Sequence, residues 1–216
     1  MDDQVRATGA IPVRLAGASR YDTAALVANE AARVRQAPQR VHLVHADAWA
    51  DAVTVGGQAA THATSVLLVD RDRVPQPTRQ FLQANPQAER IVVGGSSGIS
   101  DAVVDAVHGR RLAGSDRAGT GIAVMEELWG RTQASPGDPF VVTPGWTGDG
   151  WATALAHTSW AAAQGAPLLF SAGTVPTVVR DALHHAGYAL GASGVTRFAR
   201  HVSPPVQEAF RAAIGG

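Results

Sequence analysis

Apolar residues in this chain gather in short runs, and longer stretches with helical spacing lie between them. Val41–Val44, Val66–Val69 and Ile91–Val93 are runs of strand length, and Val13–Ala16 reads as a further short strand. Val66–Val69 is continuously apolar, the pattern of a strand buried on both faces. Between the runs, a helix capped by Asp22 or Thr23 carries Ala24, Ala25, Val27, Ala28, Ala31 and Ala32 until Pro38 stops it. A second helix spans about Trp49 to Ala63, with the small residues Gly56, Gly57, Ala59 and Ala60 suited to close backbone approach. Pro75 and Pro77 open a third, where proline is tolerated. Gly94-Gly95 end the third run, and Ser100 caps a helix bearing Val103, Val104 and Val107. Strands alternating with helices require crossovers, and so a mostly parallel sheet flanked by helices.

The pattern then repeats. Arg14-Leu15-Ala16-Gly17-Ala18-Ser19-Arg20 returns 97 positions later as Arg111-Leu112-Ala113-Gly114-Ser115-Asp116-Arg117. Phe140–Val142, the helix from Trp151 to Ala163, Leu168–Phe170, Val175-Pro176 and Val202-Ser203 follow in matching order. The offset grows through small insertions, chiefly around Ser135–Pro139 and Gly145–Gly150. A unit of this length is too long for a solenoid repeat and suits a small α/β module. The expectation is two tandem modules, 1–110 and 111–216, related by pseudo-symmetry, with Val66–Val69 and Leu168–Ser171 as equivalent central strands.

Composition narrows the function. The 216 residues include no cysteine, which excludes disulfides, thiolate catalysis and thiolate metal sites. The formal net charge of zero argues against a general nucleic-acid or anionic-membrane binder. All basic residues are arginine, a bias expected of a high-GC genome. No run of apolar residues is long enough to span a membrane. Met1-Asp2-Asp3-Gln4 does not read as a secretory signal.

Gly94-Gly95-Ser96-Ser97-Gly98 fits G-x-S-x-G between a strand and a helix, the setting of a nucleophile elbow. Ile99 and Ser100 separate it from the helix, and the second copy has Arg197-Phe198-Ala199-Arg200-His201 there. We read it as a glycine turn, with a small serine hydrolase using Ser96 as the alternative. The spacing of the glycines does not make a dinucleotide fingerprint, and no cofactor is expected. His42, His45, Asp47 and Asp51 cluster in sequence, but His42 and His45 point to opposite faces of a strand, so no metal site is expected. His184-His185, adjacent on a helix, read as surface residues. Trp49, Trp146 and Trp151 fall just after the second strand of each copy, at the sheet's carboxyl edge where open α/β folds bind ligands. Their faces suit sugar rings or ordinary core packing.

In this order, R-L-A-G-x-x-R-x-x-T, W-A-D-A-V with its small-residue helix, V-L-L-V-D, V-P and I-V-V-G-G-x-x-G-I-S resemble the bacterial cell wall-binding repeat 2 family from Arg14 to Phe210. The resemblance implies Rossmann-like or Toprim-like α/β modules without catalytic activity. It also implies attachment of surface proteins to anionic or secondary polymers of Gram-positive walls. The family's repeat opening falls on Arg14, Gly17, Arg20 and Thr23, and again on Arg111, Gly114, Arg117 and Thr120. Ligand-binding candidates are Arg14, Arg20, Asp47, Trp49 and Asp51 in the first copy, with Arg111 and Arg117 in the second. They combine cation donors, acceptors for hydroxyls and a stacking face; an internal Arg20–Asp51 ion pair is the structural alternative. The second copy departs from the pattern, with Thr153 for Asp51 and Arg197-Phe198 for Gly94-Gly95, so binding is expected mainly in the first. Family members usually carry three repeats, so a two-repeat chain is expected to cover its open surfaces by self-association or with partner modules. A cell-wall or surface location follows; without an export signal, a phage virion component built on the same fold is the alternative.

Overall fold

The structure is a computed structural model that describes residues 2–135, 137–187, 196–199 and 202–215. After a short helix α1 (Asp2–Arg6), the first repeat runs α2 (Arg20–Val34), β1 (Arg40–His45), α3 (Trp49–Thr61), β2 (Thr64–Val69), α4 (Gln76–Ala84), β3 (Glu89–Val93) and α5 (Asp101–Ala106). The second runs β4 (Arg110–Leu112), α6 (Arg117–Trp129), β5 (Phe140–Pro144), α7 (Gly150–Gln164), β6 (Leu168–Ser171), α8 (Thr177–His185), β7 (Thr196–Phe198) and α9 (Pro204–Gly215). Two parallel sheets result, in the orders β2-β1-β3-β4 and β6-β5-β7. Arg197-Phe198, expected to replace Gly94-Gly95, lie instead within β7: the strand register aligns Phe198 with Val92, so the glycine pair's counterpart falls on Arg200-His201, outside the described residues.

β4 belongs to the second repeat in sequence but completes the sheet of the first, with Leu112 beside Val93. Its counterpart, Val13–Ala16, is not a strand, and Ile11 and Val13 stand exposed. A strand needs a neighbour for its backbone groups, and the segment has none among the described residues. The expected central strands are also corrected. β2 and β6 are equivalent, but among the described residues each is an edge strand, bonded only to β1 or β5. β2 alternates buried and half-buried residues rather than burying both faces, whereas β6, also at an edge, is buried throughout. The helix cap is Ser19, whose side chain accepts from the Asp22 amide; Asp22 and Thr23 lie in the first turn. Ser100 does occupy the cap position of α5, but its side chain makes no capping bond.

One face of the first sheet presents Val41, Leu43, Leu67 and Val92 to Ala25, Ala28, Phe81 and Val103. The other presents Val44, Ile91, Val93 and Leu112 to Val55 of α3 and to Val124 and Leu128 of α6. On its opposite side α6 packs Ala118, Ile122 and Met125 into the core of the second repeat, which also takes Ala50 and Val53 from the first. α6 is therefore buried between two cores, and it stitches the repeats together. Full burial of each such aliphatic side chain contributes about 1.5–3 kcal/mol.

The small-residue helices α3 and α7 pack on each other rather than only on their own sheets. A Cβ at Gly56 would lie 3.0 Å from Thr158 Cγ2, and one at Gly57 3.4 Å from Ala161 Cβ. Gly57→Leu should therefore overpack this seam and lower stability by about 1–3 kcal/mol, read as an earlier urea midpoint at unchanged slope. An unchanged midpoint would show that the seam opens freely.

Candidate functional site

The repeat opening is first a folding device. A Cβ at Gly17 would lie 2.2 Å from Asp22 Cβ, and one at Gly114 2.1 Å from the Gly119 carbonyl carbon, so only glycine fits where the loop crosses the helix start. The Gly17 amide donates to Thr23 Oγ1 at 3.0 Å, and the Gly114 amide donates to Thr120 Oγ1 at 3.2 Å. Asp116 caps α6 by accepting from the Gly119 amide at 2.8 Å. Each second arginine then reaches the carboxyl end of its own repeat's next strand. Arg20 donates to the Ala46 carbonyl at 3.1 Å, and Arg117 donates to the Gly145 carbonyl.

Beyond this shared latch the copies diverge. Arg20 pairs with Asp47 at 2.5 Å, both largely exposed, and the carboxylate raises the arginine's pKa. In the second copy Trp146 stands where Asp47 stands in the first. The Arg117 guanidinium lies 5.3 Å from the Trp146 ring and 5.5 Å from the Trp49 ring, a cation held between two aromatic faces from different repeats. Trp49 is oriented by an edge-on contact with Phe170 at 5.9 Å.

Asp51, in the first turn of α3, sits behind this pair. Burial pushes its pKa up to about 6, while the positive charge of Arg117 pulls the other way. Gly94 has φ +123°, and a Cβ there would lie 2.8 Å from Asp51 Oδ2. Gly94 therefore leaves room for the carboxylate. Trp49, Asp51, Gly95 and Arg117 line a cleft of about 310 Å³ at the carboxyl edge of the first sheet, rimmed by Asp47, Ser97, Ser115 and Asp116, with Trp146 against Arg117 outside this lining. Open parallel sheets bind ligands at this edge.

The structure thus brings Asp47, Trp49, Asp51 and Arg117 to one cleft, with Arg20 bonded to Asp47 at its margin. Arg20 pairs with Asp47 rather than with Asp51, which replaces the anticipated internal pair. Arg14 lies outside the cleft, exposed and paired with Asp2 at 2.8 Å. Arg111 lies outside it too: it donates to the Gly94 and Ile99 carbonyls at 2.7 Å and to Asp101 at 2.8 Å, bracing the turn from behind. Ser115 and Asp116 went unrecognised in the sequence, although they sit in the repeated opening motif that β4 carries to this edge. Ser96 is exposed on the turn, with no histidine or carboxylate bonded to it among the described residues. No group of three metal-ligating side chains occurs among the described residues.

Two interleaved parallel α/β repeats with a polar, aromatic-lined cleft between them define a tandem-repeat binding module. The chain belongs to the cell wall binding domain 2 (CWB2) family, which matches residues 14–104 and 111–198, and it is a cell-wall binding module. It is 32% identical over 167 residues to the amidase enhancer of Bacillus subtilis (strain 168), covering 75% of this chain and 22% of that protein. To the N-acetylmuramoyl-L-alanine amidase LytC of the same strain it is 27% identical over 127 residues, covering 58% of this chain and 25% of that protein. The matched region is thus a quarter or less of the length of these curated relatives. Among solved structures, Cwp8 from Clostridium difficile superposes with a TM-score of 0.76 at 18% identity, over 99% of this chain and 35% of that one. Cwp6 from the same organism gives 0.70 at 20% identity, over 88% and 31%. These two share the fold. No helix among the described residues is long and apolar enough to cross a membrane.

Proposed function

We propose that the chain holds onto a glycopolymer of the Gram-positive cell wall without catalysis, through the cleft between its repeats. The observation that carries this reading is Arg117 set between Trp49 and Trp146 and beside Asp51. Indole faces stack on the apolar faces of sugar rings. A guanidinium offers paired donors to a phosphate or carboxylate along the polymer. The carboxylates and serines at the rim accept or donate to hydroxyls. No nucleophile with a base is needed for such work, and Ser96→Ala should leave wall binding unchanged. In the amidase and the amidase enhancer, we infer that the shared segment is the part that holds the wall.

Asp51 makes the reading testable through pH. A carboxylate facing an anionic polymer repels it, and protonation below pH 6 removes the repulsion. Binding to purified walls should tighten between pH 7.5 and pH 5, by about threefold to tenfold. Asp51→Asn should bind tightly at both pH values. Wild type and Asp51→Asn with the same pH response would contradict this placement of the polymer.

A further inference from the structure

α4 and α5 pack on the face of the first sheet opposite α3 and α6. A cavity of about 460 Å³ is lined there by α4, the start of β3 and the turn that ends α5, and it shares no lining residue with the cleft. Arg73, Arg79, Arg90 and His108 all line it. Arg73 is neutralised by Asp70 at 2.6 Å, and Asp72, the one carboxylate in the lining, pairs with Arg71 at 3.3 Å. Arg79 and Arg90 have no carboxylate partner among the described residues. Arg79 donates to the Val74 carbonyl at 2.5 Å, and Arg90 donates to the Val107 carbonyl at 2.8 Å and the Leu82 carbonyl at 3.4 Å. Arg90 Nε is buried with no hydrogen-bond partner among the described residues. Backbone carbonyls therefore fix both guanidiniums, and the helix ends they reach supply only partial negative charge.

His108 is the one non-glycine residue with a positive φ, +49°, among the described residues. It stands just past α5, where glycine usually ends a helix: its amide donates to the Asp105 carbonyl at 2.9 Å, and the Gly109 amide donates to the Val104 carbonyl at 3.0 Å. A histidine there accepts backbone strain that glycine avoids, and strain of this kind gathers at ligand sites. The second repeat does not carry the same charges. Aligned on Val74-Pro75 and Val175-Pro176, Arg73 becomes Thr174, and Arg79 becomes Arg180, which pairs with Asp181 at 3.3 Å. By strand register Arg90 becomes Thr196. The fold therefore closes without these cations.

We propose that this cavity is a second ligand site, confined to the first repeat, that takes a phosphate group on Arg79 and Arg90 with His108 as a third donor. One guanidinium already fills the flat edge of a carboxylate; two, brought from different elements, suit the spread oxygens of a phosphate. Inorganic phosphate and a phosphodiester within a polymer share this chemistry, and the test separates them.

The test is an NMR titration of the intact, isotope-labelled chain with inorganic phosphate to about 20 mM, a range that measures dissociation constants near 1 mM. The amide signals of Leu82, Val107 and His108 should shift and saturate. Arg79→Gln and His108→Gly should each weaken binding by about fivefold or more. Arg79 is exposed, so its replacement should fold. His108→Gly should also keep or raise the melting temperature, because glycine suits the positive φ; a histidine with a structural role alone would give no loss of binding. Arg180→Gln in the second repeat, and Arg117→Ala/Trp146→Ala in the cleft, should bind phosphate as wild type does, so the result is independent of wall binding through the cleft. Repeating the titration with a glycerol phosphate oligomer identifies the source. Binding per phosphate at least as tight as that of inorganic phosphate assigns the site to a phosphodiester chain, and weaker binding assigns it to free phosphate. No saturable shift with either probe, or shifts that Arg79→Gln and His108→Gly leave unchanged, would overturn the proposal.

Discussion

Gly114→Ala should lower stability by about 3 kcal/mol or more, and Gly17→Ala, the same change in the other copy, by markedly less. The added carbon at Gly114 would meet only backbone, at 2.1 Å from the Gly119 carbonyl carbon, 2.4 Å from its Cα and 2.5 Å from the Thr120 nitrogen. Backbone cannot rotate aside as a side chain does, so α6 itself must move. It cannot move cheaply, because Val124 and Leu128 are packed in one core and Ile122 and Met125 in another. At Gly17 the clash is as close, but α2 is covered on one side only and buries just Ala25 and Ala28. That helix can shift outward. Urea unfolding of the two variants reads the difference directly. Equal losses would show that α6 does not bind the repeats into one cooperative unit.

The second large effect is on the pH dependence of stability, where two buried groups oppose each other. His42 is fully buried on β1, with neither ring nitrogen hydrogen-bonded among the described residues, and its pKa is lowered to about 3. Burial is the main cause; Arg40, Arg110 and His62 push the same way, and Glu89 pushes against them. The unfolded chain takes up this proton near pH 6.5 and the native chain does not, so stability is lost as pH falls from 6.5 towards 3, by up to ~1.4 kcal/mol per pH unit. Asp51 has the opposite sign. Its pKa is raised from 3.8 to about 6, so the native chain binds that proton first, and the strain of the buried carboxylate is relieved as pH falls through 6. Wild type should therefore change little between pH 6 and pH 4, while single variants expose each half. His42→Leu should be more stable than wild type by about 1 kcal/mol at pH 7.5, with the gap widening on acidification. Asp51→Asn should be more stable above pH 6 and lose that advantage by about pH 4. Thermal melts across this range check both. A His42→Leu advantage that does not grow in acid would show that water reaches the ring.

The strands β1, β3, β5 and β6 were legible because buried parallel strands are short apolar runs, and runs of that kind are local. The repeat was legible because Arg14–Arg20 and Arg111–Arg117 match almost residue for residue. What the chain could not show locally is which surface each element meets. Val13–Ala16 and Arg110–Leu112 have the same strand character, yet among the described residues only the second has a neighbour, Ile91–Val93, to pair with. Val66–Val69 is apolar throughout, yet it sits at an edge, with no further strand beside it among the described residues. The same holds for the candidate site. The tryptophans and Asp51 were readable from their place after the strands. The cleft itself depends on Arg117 of one repeat reaching Trp49 of the other, a contact between residues far apart in sequence. Arg111 and Arg20 carry the same motif chemistry, and only the tertiary fold shows the first bracing a turn and the second bound to Asp47.

The most direct measurement is cosedimentation of the chain with purified Gram-positive cell walls, comparing wild type with the double variant Arg117→Ala/Trp146→Ala. Trp146 is exposed and Arg117 contributes one bond to a backbone carbonyl, so the fold should persist, as a melting temperature within a few degrees of wild type would show. The account predicts that the double variant loses at least about a hundredfold in wall affinity, the scale expected when a stacking face and a charge-assisted contact are removed together. A folded double variant that still sediments with walls as wild type does would contradict it and move the polymer to another surface.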